Sequence, residues 1–178
     1  MTIQTGTVIP AVRTSLEYAK ALGSTHEYLF LLYDTVSSLP EHITLAKKHG
    51  KRLFVHMDMI DGLGRDTAAV DFLASLGAFG IISTRSPLIK YAKTRGLRTV
   101  QRFFIVDGKS VETALDAVSK CPPDYIELMP GLVCKEISAF ASHGVPVIAG
   151  GLIETRTEAD AAFSAGAAAV STSKWEII

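Results

Sequence analysis

Eight short apolar runs that alternate with helical stretches do most to limit the folds open to this chain. They are VIPAV (8–12), YLFLLY (28–33), RLFVHMD (52–58), GIIST (80–84), TVQRFFIV (99–106), YIELMP (125–130), PVIAGG (146–151) and AAVST (168–172). Each is rich in β-branched or aromatic residues and nearly continuous rather than alternating, the pattern of strands covered on both faces. Between them lie SLEYAKAL, HITLAKKHG, TAAVDFLASLG, SPLIKYAKTRG, SVETALDAV, CKEISAFASHG and EADAAFSAG, with apolar residues three and four apart. Five of these segments run into a glycine (Gly50, Gly77, Gly96, Gly144, Gly166), a residue that stops a helix and feeds the next strand. Ser86-Pro87, and Thr157 with Asp160, look like caps at helix starts.

Strands alternating with helices give βαβ units and a parallel sheet. An open doubly wound sheet satisfies that pattern. Eight repeats filling the chain favour a closed (β/α)8 barrel, the TIM barrel, which leaves no sheet edge exposed. A spacing of roughly 20–25 residues makes it compact, since such barrels typically take about 250 residues. Only SKWEII follows the last run, so the eighth helix is truncated and its place is left open or covered by a second copy of the chain. A single barrel domain over residues 1–178 is expected.

The 178 residues are 48% hydrophobic and 20% charged, a globular rather than a disordered composition. Eighteen basic residues balance eighteen acidic ones, so no overall field draws the protein to nucleic acid or membrane, and any basic surface is local. Cys121 and Cys134 match no zinc spacing and read as reduced thiols. The N-terminus lacks a secretory pattern and no run is long enough to span a bilayer. A soluble cytoplasmic protein with no metal centre and no cofactor is expected.

The polar residues inside the runs point to a site. In FVHMD, Phe54, His56 and Asp58 share one strand face and Val55 and Met57 the other. Ionisable groups under the helices would be costly, so His56 and Asp58 are expected to face the barrel interior near its C-terminal mouth. Run four ends in Ser83, Thr84 and Arg85. Run five carries Gln101 and Arg102, of which only one can face inward, and Asp107 follows it. Run six carries Glu127, for which Arg102 is the natural partner. At the end of the chain, IAGGLIET places Gly150 and Gly151 after run seven, and VSTS places Ser171, Thr172 and Ser173 after run eight. Glycine-rich turns and hydroxyls at those two loops make a phosphate cradle in many (β/α)8 barrels. Arg85 could add charge.

FVHMDMIDGLGRD, GIISTRSPLIKYAKTRGL, QRFFIVD, PDYIELMPG, VIAGGLIET and AVSTSKW resemble, in order and spacing, the glycerol-3-phosphate-responsive antiterminator family, regulators of bacterial glycerol uptake operons. The resemblance runs from about the second strand to the end. It implies a barrel that binds glycerol 3-phosphate, or a similar small phosphate ester, as its effector. It also implies binding to the leader mRNA of an operon, which prevents premature termination. By matching position, Gly150, Gly151, Ser171, Thr172 and Ser173 would hold the phosphate. His56, Asp58, Arg102 and Glu127 would line the glycerol end. Two stretches depart from the family pattern: Gly108-Lys109 after Asp107, and YDTVSS after the second strand.

For RNA, basic residues cluster locally. Residues 83–106 carry six cations and no acid, and Lys47, Lys48, Lys51 and Arg52 precede the third strand. Lys47, Lys48, Lys51, Arg52, Lys93, Arg95 and Arg98 fall on helices or helix-to-strand turns, so the RNA surface is expected at the N-terminal rim. Two other functions use the same residues. An enzyme acting on a small phosphorylated metabolite could draw a base and acids from His56, Asp58 and Glu127, or a divalent metal from His56, Asp58 and Asp61. A ligand sensor could act through a protein partner instead.

Overall fold

The computed structural model describes residues 3–178. All eight apolar runs form strands: β1 (Thr7–Val12), β2 (Tyr28–Leu31), β3 (Arg52–His56), β4 (Gly80–Ser83), β5 (Arg98–Phe104), β6 (Tyr125–Met129), β7 (Val147–Gly150) and β8 (Ala169–Thr172). Seven helices alternate with them: α1 (Ser15–Leu22), α2 (Leu39–Lys48), α3 (Thr67–Ser75), α4 (Ser86–Thr94), α5 (Gly108–Lys120), α6 (Cys134–Ala141) and α7 (Arg156–Ser164). The strands are parallel and close in sequence order into a barrel, the (β/α)8 architecture expected from the alternation. Among the described residues no helix follows β8. β2, β4, β7 and β8 are buried at every position, which explains why their sequences do not alternate.

The chain divides into two compact units, Pro10–Val100 and Met1–Ile9 with Gln101–Ile178. In the first, Phe30 of β2 lies opposite Phe54 of β3, and Phe54 opposite Gly80 of β4. The Phe30 and Phe54 rings meet edge to face at 5.6 Å, and Phe54 meets Phe79 at 5.2 Å. Burying rings of this kind contributes about 1.5–3 kcal/mol each. Gly80 makes the arrangement possible, because a Cβ there would lie 2.6 Å from the Phe54 ring and 2.5 Å from the Arg98 carbonyl.

In the second unit the strands sort their residues cleanly. Ile126 and Leu128 of β6, Val147 and Ala149 of β7, and Val170 of β8 pack in one cluster with Ile137 and Phe140 of α6 and Ala159 and Ala162 of α7. The alternate residues, Glu127, Gly150 and Ser171, therefore face away from the helices and into the barrel. The expected glycines after α2, α3, α4, α6 and α7 all take positive φ. Two helix starts differ from expectation. Ser86 is the first residue of α4, with Arg85 in the capping position and Pro87 in the first turn. Thr155, not Thr157, caps α7, because Glu158 three residues on completes a reciprocal box with it.

Candidate functional site

Strand β3 stops at His56, and Met57–Met59 forms one 3₁₀ turn. The alternation expected to carry Asp58 along the strand face therefore ends one step early. The turn nevertheless returns the Asp58 carboxylate to within 3.9 Å of His56 Nδ1. Its Oδ2 accepts hydrogen bonds from Ser83 Oγ (3.2 Å) and the Thr84 backbone N–H (3.1 Å) at the end of β4. Its Oδ1 is buried and accepts no hydrogen bond among the described residues, although the half-exposed Arg85 places Nε 3.6 Å away. Arg65 donates to the Asp58 carbonyl at 3.2 Å. Sequence spacing does not reveal Arg65, because only the tight turn brings it back. His56 is 2% exposed. Asp61 goes elsewhere: its backbone bonds to Asp34 and Val36, and among the described residues no metal-binding cluster forms. The expected His56–Asp58–Asp61 option is thus not assembled.

YDTVSS, the stretch that departs from the family pattern, builds a cluster of its own. Asp34, 8% exposed, accepts from the Thr35 N–H (2.8 Å) and Ser38 Oγ (2.5 Å), and its other oxygen lies 2.5 Å from His42 Nδ1. Leu32, Tyr33, Asp34, Thr35, Met59 and Asp61 line a cavity of about 340 Å³ beside it. Burial, and then the charge of Asp34, push the Tyr33 phenol up to about 12. Tyr18, whose hydroxyl donates to the His42 carbonyl, is raised chiefly by burial.

In the second unit, Arg102 Nε donates to Glu127 Oε2 at 2.7 Å, the expected pair. Ser171 Oγ donates to Glu127 Oε1, also at 2.7 Å. These residues meet across β7 because Gly150, directly opposite Ser171, has no side chain. A Cβ there would lie 2.5 Å from Glu127 Oε1 and 2.7 Å from Ser171 Oγ. Gly150 thus has a packing reason independent of any ligand. Gly151 and Leu152 follow with φ of 74° and 61°. Leu152 carries a real cost in that conformation, about 1–2 kcal/mol, and strain of this sort gathers at functional sites. Thr172 Oγ1 donates to the Ile153 carbonyl (2.8 Å) and accepts from the Lys174 N–H (3.1 Å), and Lys174 pairs with Glu154 at 3.0 Å. The protons of Ser171 and Thr172 are therefore committed within the protein, whereas Ser173 is half-buried beside them. Asp107 caps α5 through Ser110.

The basic residues divide as well. Lys47 Nζ donates to the Leu76 carbonyl (2.7 Å), and Lys51 Nζ to the carbonyls of Ser24 and His26. Arg52 binds Glu27 at 2.9 Å and lies over the Tyr28 and Phe79 rings. Arg95 binds Asp71 at 2.6 Å. Lys47, Lys48 and Lys93 sit in the last turns of α2 and α4, where the helix dipole favours a cation. Arg98 begins β5 and is exposed. Among the described residues, no helix is long and apolar enough to cross a membrane.

Comparison with known proteins supplies the family. The model of the glycerol-3-phosphate responsive antiterminators matches residues 8–178. The crystal structure of a glycerol uptake operon antiterminator regulatory protein from Listeria monocytogenes str. 4b F2365 is 33% identical. It covers 99% of this chain and 98% of its own, with a TM-score of 0.94. An antiterminator-related protein from Thermotoga maritima MSB8 is 32% identical, with 96% of each chain covered and a TM-score of 0.85. The uncharacterized protein YgcP of Escherichia coli (strain K12) is 32% identical over 168 residues, 93% of this chain and 87% of YgcP. A deoxyribose phosphate aldolase from Aeropyrum pernix, 18% identical with a TM-score of 0.72 over 93% of this chain and 85% of its own, shares the barrel fold alone. On the match across residues 8–178, this chain belongs to the glycerol-3-phosphate responsive antiterminator family.

Proposed function

We propose that this protein is a regulator that takes glycerol 3-phosphate as its effector and, in response, binds the leader mRNA of a glycerol-metabolism operon to prevent termination. The family match over nearly the whole chain carries this reading. In the second unit the phosphate would sit at the turns after β7 and β8. There Gly150, Gly151, Ser171, Thr172 and Ser173 would form the walls, where Gly151 and Leu152 turn the backbone through positive φ. In the first unit Asp58 has the chemistry to read hydroxyls: its Oδ1 is shielded and accepts no hydrogen bond among the described residues. His56 and Arg85 stand beside it. Arg102 and Glu127 would support the site as a fixed ion pair rather than as free ligand donors. RNA would lie on the helix-to-strand rim that carries Lys47, Lys48, Lys51, Arg52, Lys93, Arg95 and Arg98. The protein would work in the cytoplasm, where transcripts emerge, and as a monomer or a homo-oligomer.

A thermal-shift series with glycerol 3-phosphate, and free glycerol as control, tests the effector. Ligand at about 100 times its Kd stabilises by about 2.7 kcal/mol, a rise in Tm of several degrees. Asp58→Asn is expected to leave the unliganded stability within about 1 kcal/mol of wild type and to abolish most of that rise in Tm. Equal shifts with free glycerol, or none with glycerol 3-phosphate, would refute the effector.

A further inference from the structure

The helix-to-strand end of the first unit holds a cavity that neither the fold nor the effector site explains. Its volume is about 350 Å³, within the range of pockets that take small molecules. Ile43, Leu53 and Phe79 give it an apolar lining, and Lys47, Lys51 and Arg98 stand at its walls. No acidic residue lines it. The lysines are held in place by backbone alone: Lys47 by the Leu76 carbonyl, Lys51 by those of Ser24 and His26. Among the described residues neither ammonium meets a carboxylate. Carbonyls orient an ammonium without neutralising it. Burial also works against the charge on Lys51. Two uncompensated positive charges beside an apolar, aromatic lining call for a ligand that is an anion at one end and a flat apolar face at the other. A nucleotide has both.

We propose that this cavity receives one unpaired nucleotide of a single-stranded RNA, with its base against Phe79 and Leu53 and its phosphate on Lys47 and Lys51. The inference rests on the RNA-binding part of the proposed function and sharpens it: the protein would read a loop or single strand, whose bases can be splayed out, rather than a duplex. Phosphate contacts alone would make all rim cations equivalent, whereas a nucleotide in the cavity makes two of them special.

Fluorescence anisotropy on the full chain tests this, using a random-sequence RNA of about 12 nucleotides, a duplex of the same length, and uridine monophosphate as the free nucleotide. Lys47→Gln and Lys51→Gln are each expected to weaken single-strand binding about tenfold. Lys90→Gln, an equal loss of charge on the exposed face of α4 and outside that rim, should change it less than about twofold. Ala78→Leu narrows the cavity without removing charge. It should weaken binding yet leave the salt dependence unaltered, which keeps the test decisive if Lys51→Gln fails to fold. Photocrosslinks from 4-thiouridine RNA should fall on Phe79 or its neighbours. If wild type binds the single strand but all three lysine variants weaken it equally, or crosslinks fall elsewhere, or the duplex binds as tightly, the cavity is not the reader and RNA binding itself survives. If the mononucleotide binds and the RNA does not, the occupant is a free nucleotide and the proposal fails. If neither RNA binds, both readings fail together.

Discussion

Glu127 and Asp58 are both acidic residues shielded from solvent near the end of a strand, yet the protein treats them in opposite ways. Each oxygen of Glu127 takes a 2.7 Å hydrogen bond, one from Arg102 and one from Ser171, and the residue is fully buried. Asp58 uses one oxygen on Ser83 and Thr84 and leaves the other buried without a hydrogen bond, with a half-exposed arginine 3.6 Å away. A satisfied carboxylate holds structure in place. A half-satisfied one retains accepting capacity for something else. Sequence treats the two alike, as acids in apolar runs.

The contrast is broken or sharpened by three changes. The largest effect is expected at Arg102. Arg102→Met leaves the Glu127 carboxyl group buried and short of its main partner, and should cost about 3–5 kcal/mol in denaturant unfolding. Adding Glu127→Met to it should recover much of that loss. A small effect of Arg102→Met alone would mean that Glu127 is not the structural member of the two acids. Gly150→Ala comes next. Its methyl would press on the Glu127 carboxylate and the Ser171 hydroxyl, and a cost of about 1–3 kcal/mol is expected from overpacking. Urea midpoints equal to wild type would show that the contact across β7 is looser than described.

The smallest effect concerns pH. Tyr33 titrates near 10.0 in an unfolded chain and about 12 in the protein, because burial and then Asp34 disfavour the phenolate. A group whose folded value is raised gives its full stabilisation below the unfolded value and loses it as pH rises through the folded one. Stability should therefore fall between pH 10 and pH 12, and Tyr33→Phe should make that fall shallower. An identical pH profile in the variant would place the cause elsewhere, with Tyr18 the first candidate.

The fold was legible because a parallel barrel writes itself into continuous apolar runs, and every one of those runs became a strand. Strand ends were less legible. His56 and Asp58 read as one alternating face, but the strand stops between them and a 3₁₀ turn takes over, which no periodicity signals. The Arg102–Glu127 pair was legible from charge in adjacent runs. The third partner, Ser171, was not, since it reaches Glu127 only across a glycine on the strand between them. The cluster of Asp34, Ser38 and His42 was hidden in a loop that looked merely unlike the family. Its members are spaced four apart, and the chain has to turn into α2 before they meet. Lys47 and Lys51 read only as two more cations of the expected RNA surface, because nothing in sequence marks a carbonyl as a lysine's partner.

The Thr172 hydroxyl, bonded to the Ile153 carbonyl and to the Lys174 amide, makes the turns after β7 and β8 a single mechanical part. Anyone transplanting the glycine pair into another barrel would have to carry Thr172 and Lys174 with it. Selection acting on either turn would likewise feel the other, so the two should evolve as a unit rather than loop by loop.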